Sequence, residues 1–171
     1  FGGILMTKDP TPRLDMKQVS RLGQGLDRPE SVHVLSDDLL AASHRGRGVS
    51  LIHADGTVRT LGPADARPGG EELIPNGIAP LLDGGFLIAN IGEGGGVWRL
   101  SPEGDLTPHL MEVEGIFLSA TNFVMTDAAG RLFDTVSTVS RPRFAAYTDK
   151  VADGLIIVVD DDGPRIIADD T

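Results

Sequence analysis

Three oxygen-bearing side chains recur at one interval: Glu30 in RPESVHV, Asn76 in IPNGIAP and Asn122 in ATNFVMT. The two steps are equal, 76 − 30 = 46 and 122 − 76 = 46 residues. Each residue stands just before a short apolar segment. If the segments are copies of one unit arranged about an axis, the three side chains occupy one position of that unit and converge. One carboxylate and two amide oxygens are hard, mostly neutral donors, a set that suits Ca²⁺ or Mg²⁺ and tolerates Zn²⁺ or Mn²⁺ better than a soft ion. An open coordination position would then hold water or substrate. The same residue types also cap turns through hydrogen bonds to local backbone. Their equal spacing is what favours a shared site.

Other chemistry-bearing residues are scattered. His44, followed by Arg45 and Arg47, reads as part of the loop after a second strand and is a candidate contact for an anionic substrate. Arg141, close to Ser137, Thr138 and Arg143, is a second candidate for substrate binding. No G-x-S-x-G elbow accompanies those hydroxyls, which argues against a serine nucleophile. His33 and His53 fall inside strands, where packing accounts for them. The run Gly92-Glu93-Gly94-Gly95-Gly96 lies between two strands and opens no helix, so it reads as a blade turn and not as a phosphate cradle. Asp160-Asp161-Asp162-Gly163 lacks the alternating ligand spacing of a calcium loop and reads as a hairpin turn.

The elements that must position these residues repeat as well. Three segments follow one plan of four short strands: SVHVLSDDLLAASHRGRGVSLIHADGTVRTL from Ser31, GIAPLLDGGFLIANIGEGGGVWRLSPEGDLTPHL from Gly77, and FVMTDAAGRLFDTVST from Phe123 completed by GLIIVVDDDGPRIIAD. Second strands are compact apolar runs, LLAAS, FLIAN and LFDTV. Ala54-Asp55-Gly56, Glu103-Gly104 and Asp162-Gly163 supply hairpin turns, because glycine accepts the positive φ that short hairpins require. Strands of this length repeating with a period in the forties predict an all-β fold, a β-propeller of four-stranded antiparallel blades. The blades fall at about 30–75, 76–121 and 122–171. Residues 1–24 form a lead-in, with an outer strand of a closing blade as one use for it. The third copy carries an insertion, VSRPRFAAYTDKVAD, between its second and third strands. Such insertions lie on a ligand-binding face or make plain surface excursions.

Composition narrows the partners. The 22 Gly and 11 Pro among 171 residues interrupt apolar segments too often for long helices. A net charge of −10 repels nucleic acid and anionic membrane surfaces. With no cysteine, disulfides and thiolate sites are excluded. No window approaches 18 apolar residues and FGGILMTKDP lacks a signal-peptide pattern, so a cytoplasmic protein is the expectation.

Propellers close on themselves, typically with four to eight blades. Three blades, a start on Phe1 and an end at Thr171 after a fourth strand lead to the expectation of about half of a longer parent. Exposed blade edges would then favour self-association.

Pro29-Glu30-Ser31, Asn76-Gly77, Thr121-Asn122 and the stretch GRLFDTVST followed by ADGLIIVVDDDGPRIIAD together resemble the SMP-30/gluconolactonase/LRE-like family, over about Gly25 to Thr171. The resemblance implies a six-bladed propeller with one divalent metal ion in its central channel, Ca²⁺ preferred. It implies that Glu30 and Asn122 ligate the metal, while Asn76 holds substrate or a metal-bound water. The further acidic ligand, which is also the expected general base, has no counterpart here, so no catalytic residue is assigned within this chain. The implied reaction is hydrolysis of a sugar-acid lactone or similar ester, with the fragment alone inactive. A non-catalytic binding or scaffold propeller is the alternative.

Overall fold

The computed structural model describes residues 15–170. Three antiparallel sheets of four strands each follow one another along the chain, every strand pairing with its sequence neighbour. The first blade comprises β1 (Val32–Ser36), β2 (Leu39–His44), β3 (Gly48–His53) and β4 (Val58–Leu61). The second comprises β5 (Pro75–Pro80), β6 (Phe86–Asn90), β7 (Val97–Leu100) and β8 (Leu106–Leu110). A two-stranded hairpin follows, β9 (Glu112–Val113) with β10 (Ile116–Phe117). The third blade comprises β11 (Thr121–Thr126), β12 (Leu132–Val136), β13 (Leu155–Asp160) and β14 (Gly163–Ala168). The expected all-β propeller with four-stranded blades is the fold observed.

The turns form for the reason expected: Gly56, Gly104 and Gly163 take φ of +86°, +98° and +93°. The small hairpin was not anticipated. Its turn is Glu114-Gly115, with φ of +53° and +80°, the consecutive left-handed pair that matches the twist of a two-residue hairpin.

Blades stack through their faces. Ala41, Val49, Leu51 and Leu61 of the first blade meet Ile78, Phe86, Ile88, Trp98 and Leu100 of the second. On the other side of the second blade, Ala79, Leu87, Ala89 and Val97 meet Val124 and Leu132 of the third. These sides alternate residue by residue along β5 and β6, as a strand buried on both faces must. The first strands come together too: β5 contacts β1 on one side and β11 on the other. At that approach Gly77 has no alternative, since a Cβ there would lie 2.7 Å from Phe123 Cα and 2.8 Å from Val124 N.

Two regions refine the sequence reading. Residues 1–14 of the lead-in lie outside the described residues, and residues 15–24 carry a 3₁₀ turn at Met16–Gln18 and no strand. Gly23 there sits against Ile52 and Val58 of the first blade. The insertion in the third blade folds a short helix, α1 (Phe144–Asp149), the one α-helix among the described residues. The ends of the insertion are clasped by Asp153, whose Oδ2 accepts from Ser140 N at 3.1 Å and Ser140 Oγ at 2.7 Å.

Candidate functional site

Each of the first strands of blades two and three carries a register shift at its start, between Pro75 and Ile78 in β5 and between Thr121 and Phe123 in β11. A bulge leaves a residue unpaired with the neighbouring strand and re-aims its side chain. Asn76 and Asn122 sit in these two bulges, inside their strands and not ahead of them as the sequence suggested. Glu30 does precede its strand, two residues before β1.

The bulges bring the two asparagines into contact: Asn76 Nδ2 donates to Asn122 Oδ1 at 2.7 Å and to Asn122 O at 3.1 Å. Glu30 joins them through a residue that the equal spacing did not reveal. Arg28 donates from Nη2 to Asn76 Oδ1 at 3.0 Å, and its Nε lies 3.2 Å from Glu30 Oε1. At the other end Asn122 Nδ2 donates to Ser137 Oγ at 2.7 Å. A single polar chain, Glu30, Arg28, Asn76, Asn122 and Ser137, therefore crosses three blades. Its members remain accessible: the side chains of Arg28 and Glu30 are 29% and 46% exposed.

Arg28 adopts φ of +52°, a left-handed conformation uncommon for a residue with a side chain. The chain turns there before Pro29, and the turn sends the guanidinium towards the second blade. Its Nη1 is buried without a hydrogen-bond partner among the described residues.

The strand ends that hold this arrangement also repeat. Ser43, Asn90 and Ser137 are spaced by 90 − 43 = 47 and 137 − 90 = 47 residues, each within one residue of the end of a second strand. Ser43 Oγ accepts from Glu30 N at 2.9 Å and Ser31 N at 3.2 Å. Asn90 Oδ1 accepts from Ile74 N at 2.9 Å, and Ser137 Oγ takes the Asn122 amide. In every blade the end of the second strand thus pins the segment that presents Glu30, Asn76 or Asn122. The periodicity was available in the sequence, one polar residue closing each of LLAAS and FLIAN and one following LFDTV.

His44 and Arg141 are not part of the polar chain. His44 is the last residue of β2 rather than a loop residue, is 8% exposed, and its Nδ1 lies 2.7 Å from Ser50 Oγ. Burial, with help from Arg47 and against the pull of Asp27, holds its pKa below the ordinary imidazole value. Arg141 lays its guanidinium over the Phe117 ring, 4.9 Å from the centroid, a cation–π contact that ties the insertion to the small hairpin.

Beside Ser137 lies a cavity of about 350 Å³. Ile91 and Ala120 line it from the blades, Ser137 from the end of the polar chain, and Phe144, Tyr147 and Val151 from the insertion. The insertion is therefore a wall of this cavity.

Two opposed observations bear on a divalent ion. Glu30 Oε1 and Asn76 Oδ1 already face one cation, the Arg28 guanidinium, with Asn122 Oδ1 next to them. The donor types suit a hard cation, while Arg28 already occupies Glu30 Oε1 and Asn76 Oδ1, and Asn122 Oδ1 accepts from Asn76 Nδ2. Among the described residues no three His, Cys, Asp or Glu side chains cluster, so amide oxygens would have to supply most of the coordination.

No protein-family model and no curated protein matches this sequence. Solved structures do. A gluconolactonase of Xanthomonas campestris superposes with a TM-score of 0.58 at 20% identity, over 77% of this chain and 43% of that one. Virginiamycin B lyase of Staphylococcus aureus gives 0.52 at 12% identity, over 81% of this chain and 40% of that one. YCF48, solved bound to a D1 peptide, gives 0.50 at 14% identity, over 93% and 44%. The chain thus spans less than half the length of these similar proteins. At such identities the likeness is one of fold, and together with the three blades it makes the chain a partial β-propeller.

Proposed function

We propose that this chain supplies the ligand-binding half of a propeller hydrolase of the SMP-30/gluconolactonase kind, opening a lactone or related ester. The observation carrying the proposal is the meeting of Arg28, Glu30, Asn76 and Asn122 from three blades, beside a cavity that opens at Ser137.

In the proposed reaction the oxygen of water bonds to the acyl carbon, the acyl C–O ring bond breaks, and the ring oxygen leaves as a hydroxyl carrying a proton. Glu30 and Asn122 would hold the divalent ion, Ca²⁺ by preference. When bound, such an ion polarises a carbonyl and lowers the pKa of a bound water. The remaining work belongs to the protein. Asn76, held by Arg28 and Asn122, presents its amide in a fixed direction to substrate. Ser137 fixes the Asn122 amide, so that a ligand group meets a preorganised carbonyl oxygen and not a freely rotating one. Arg28 keeps a positive charge beside Glu30 in the absence of metal and offers it to an anionic group.

Calorimetric titration with Ca²⁺ and with Mn²⁺ tests the metal half of the reading. Glu30→Gln should weaken binding at least tenfold, because the one carboxylate of the set is lost. Arg28→Leu should strengthen it by a factor of roughly five, the ~1 kcal/mol scale of a partly exposed ion pair removed from competition. If neither ion binds the parent or the Arg28→Leu variant, the hydrolase reading fails. A scaffold role would then gain, since Val34 on β1 and Phe123 and Met125 on β11 are 75%, 44% and 43% exposed and invite an apolar partner.

A further inference from the structure

The cavity beside Ser137 is built unlike a sugar site. Its insertion wall is mostly apolar, the exception being Arg143, whose guanidinium lies over the Phe144 ring, 4.9 Å from the centroid; the apolar residues stand out into solvent, Phe144 65% exposed, Tyr147 87% and Val151 49%. A protein this acidic keeps three such side chains together at one opening against the usual preference for a polar surface, and an apolar cluster on a cavity rim commonly marks a ligand site. Across from them Ile91 and Ala120 continue the hydrocarbon lining. Its polar groups are few: Ser137, whose Oγ ends the chain that begins at Glu30, with Thr138 beside it, and Arg143 on the insertion.

We propose, resting on the lactone reading above, that this cavity holds the non-reacting body of the substrate and that the substrate is a lactone or ester with an alkyl or aryl substituent, not a polyhydroxylated sugar lactone. The physics is a matter of what each body meets. A hydrocarbon substituent leaves water for carbon walls and gains about 25 cal/mol for every Å² covered. A sugar body would press several hydroxyls against Ile91, Phe144 and Val151, and each hydroxyl stripped of water without a partner costs about 1–3 kcal/mol. The volume, about 350 Å³, lies at the small end of ligand pockets. It therefore selects short substituents over long acyl chains. The insertion is anchored well enough to serve as a wall: Asp153 clasps Ser140, and Arg143 N donates to Glu93 Oε1 of the glycine-rich turn at 3.3 Å. That turn, set aside as a phosphate cradle, instead props the pocket.

Tyr147 is the single tyrosine of the chain, so 3-fluorotyrosine labelling places one ¹⁹F resonance at the cavity mouth. Titration with δ-decalactone, whose alkyl tail matches the cavity, should move that resonance saturably, and glucono-δ-lactone at the same concentrations should leave it in place. Phe144→Asp, at an exposed position, should weaken δ-decalactone binding at least tenfold with the urea midpoint unchanged. No saturable shift with δ-decalactone, an equal shift with both lactones, or full affinity in Phe144→Asp overturns the inference. Turnover is read in the whole protein of which this chain is proposed to be the ligand-binding half: there, binding of δ-decalactone without turnover supports the cavity assignment while removing the hydrolase reading. Turnover of glucono-δ-lactone with no binding of the apolar lactone overturns the cavity assignment and leaves the hydrolase reading standing.

Discussion

The junction between blades one and two and the junction between blades two and three use the same strands of the same meander, yet they are filled differently. The first is hydrocarbon throughout, with Phe86, Ile88 and Leu100 at 1%, 0% and 0% exposure. The second has mostly smaller side chains, Ala79, Ala89 and Val97 beside Leu87, facing Val124 and Leu132. It also lets two backbones touch at Gly77. And in β12, between Leu132 and Val136, it buries Asp134, whose carboxylate oxygens have no hydrogen-bond partner among the described residues. Burial pushes that carboxyl well above the ordinary carboxylate range, with only the Thr135 backbone pulling the other way. One junction is thus built for cohesion. The other gives up cohesion to bring Asn76 against Asn122, the contact on which the candidate site depends.

The contrast can be broken from either side. Phe86→Ala should be the most damaging change, lowering stability by about 3–5 kcal/mol in urea unfolding, because it empties the all-carbon junction. A loss below 1 kcal/mol would mean that the first junction is not the stronger one. Gly77→Ala should cost up to about 3 kcal/mol, since its Cβ can be relieved only by moving backbone. The same variant should shift the side-chain amide resonances of Asn76 and Asn122, and unchanged resonances would detach the close approach from the site. Asp134→Leu has the smallest expected effect and the opposite sign, a gain of about 1–2 kcal/mol at pH 7.

The pH dependence of Asp134 sharpens that last comparison. Its folded pKa is raised above 3.8, so the folded state binds the proton more tightly than the unfolded chain. Its contribution is therefore fully present below 3.8 and is lost as pH rises through the folded value. The advantage of Asp134→Leu should shrink on acidification; a pH-independent gain would point to packing alone.

Most of the architecture was legible because it is local. Compact apolar runs, Gly at the hairpin turns and the 46-residue repeat of Glu30, Asn76 and Asn122 each rest on a few adjacent residues or on simple counting. The 47-residue repeat of Ser43, Asn90 and Ser137 was equally countable and holds the segments that present Glu30, Asn76 and Asn122. What escaped has no periodic mark. Arg28 belongs to the site because φ of +52° turns it towards blade two, and nothing about Asp27-Arg28-Pro29 announces that. Arg141 stands apart from the polar chain for a similar reason, its partner Phe117 lying on a hairpin that the repeat does not contain.

By itself, then, the sequence determined the meander, its threefold use and the position in each copy where an oxygen-bearing side chain stands, because strand period and turn chemistry act over a few residues. The tertiary structure alone decided that Glu30 reaches the asparagines through a guanidinium, that Gly77 lets two blades meet, and that the insertion walls a mostly apolar cavity. Those outcomes depend on which surfaces are pressed together when the blades stack, and they depend on bulges that turn Asn76 and Asn122 out of their strand registers.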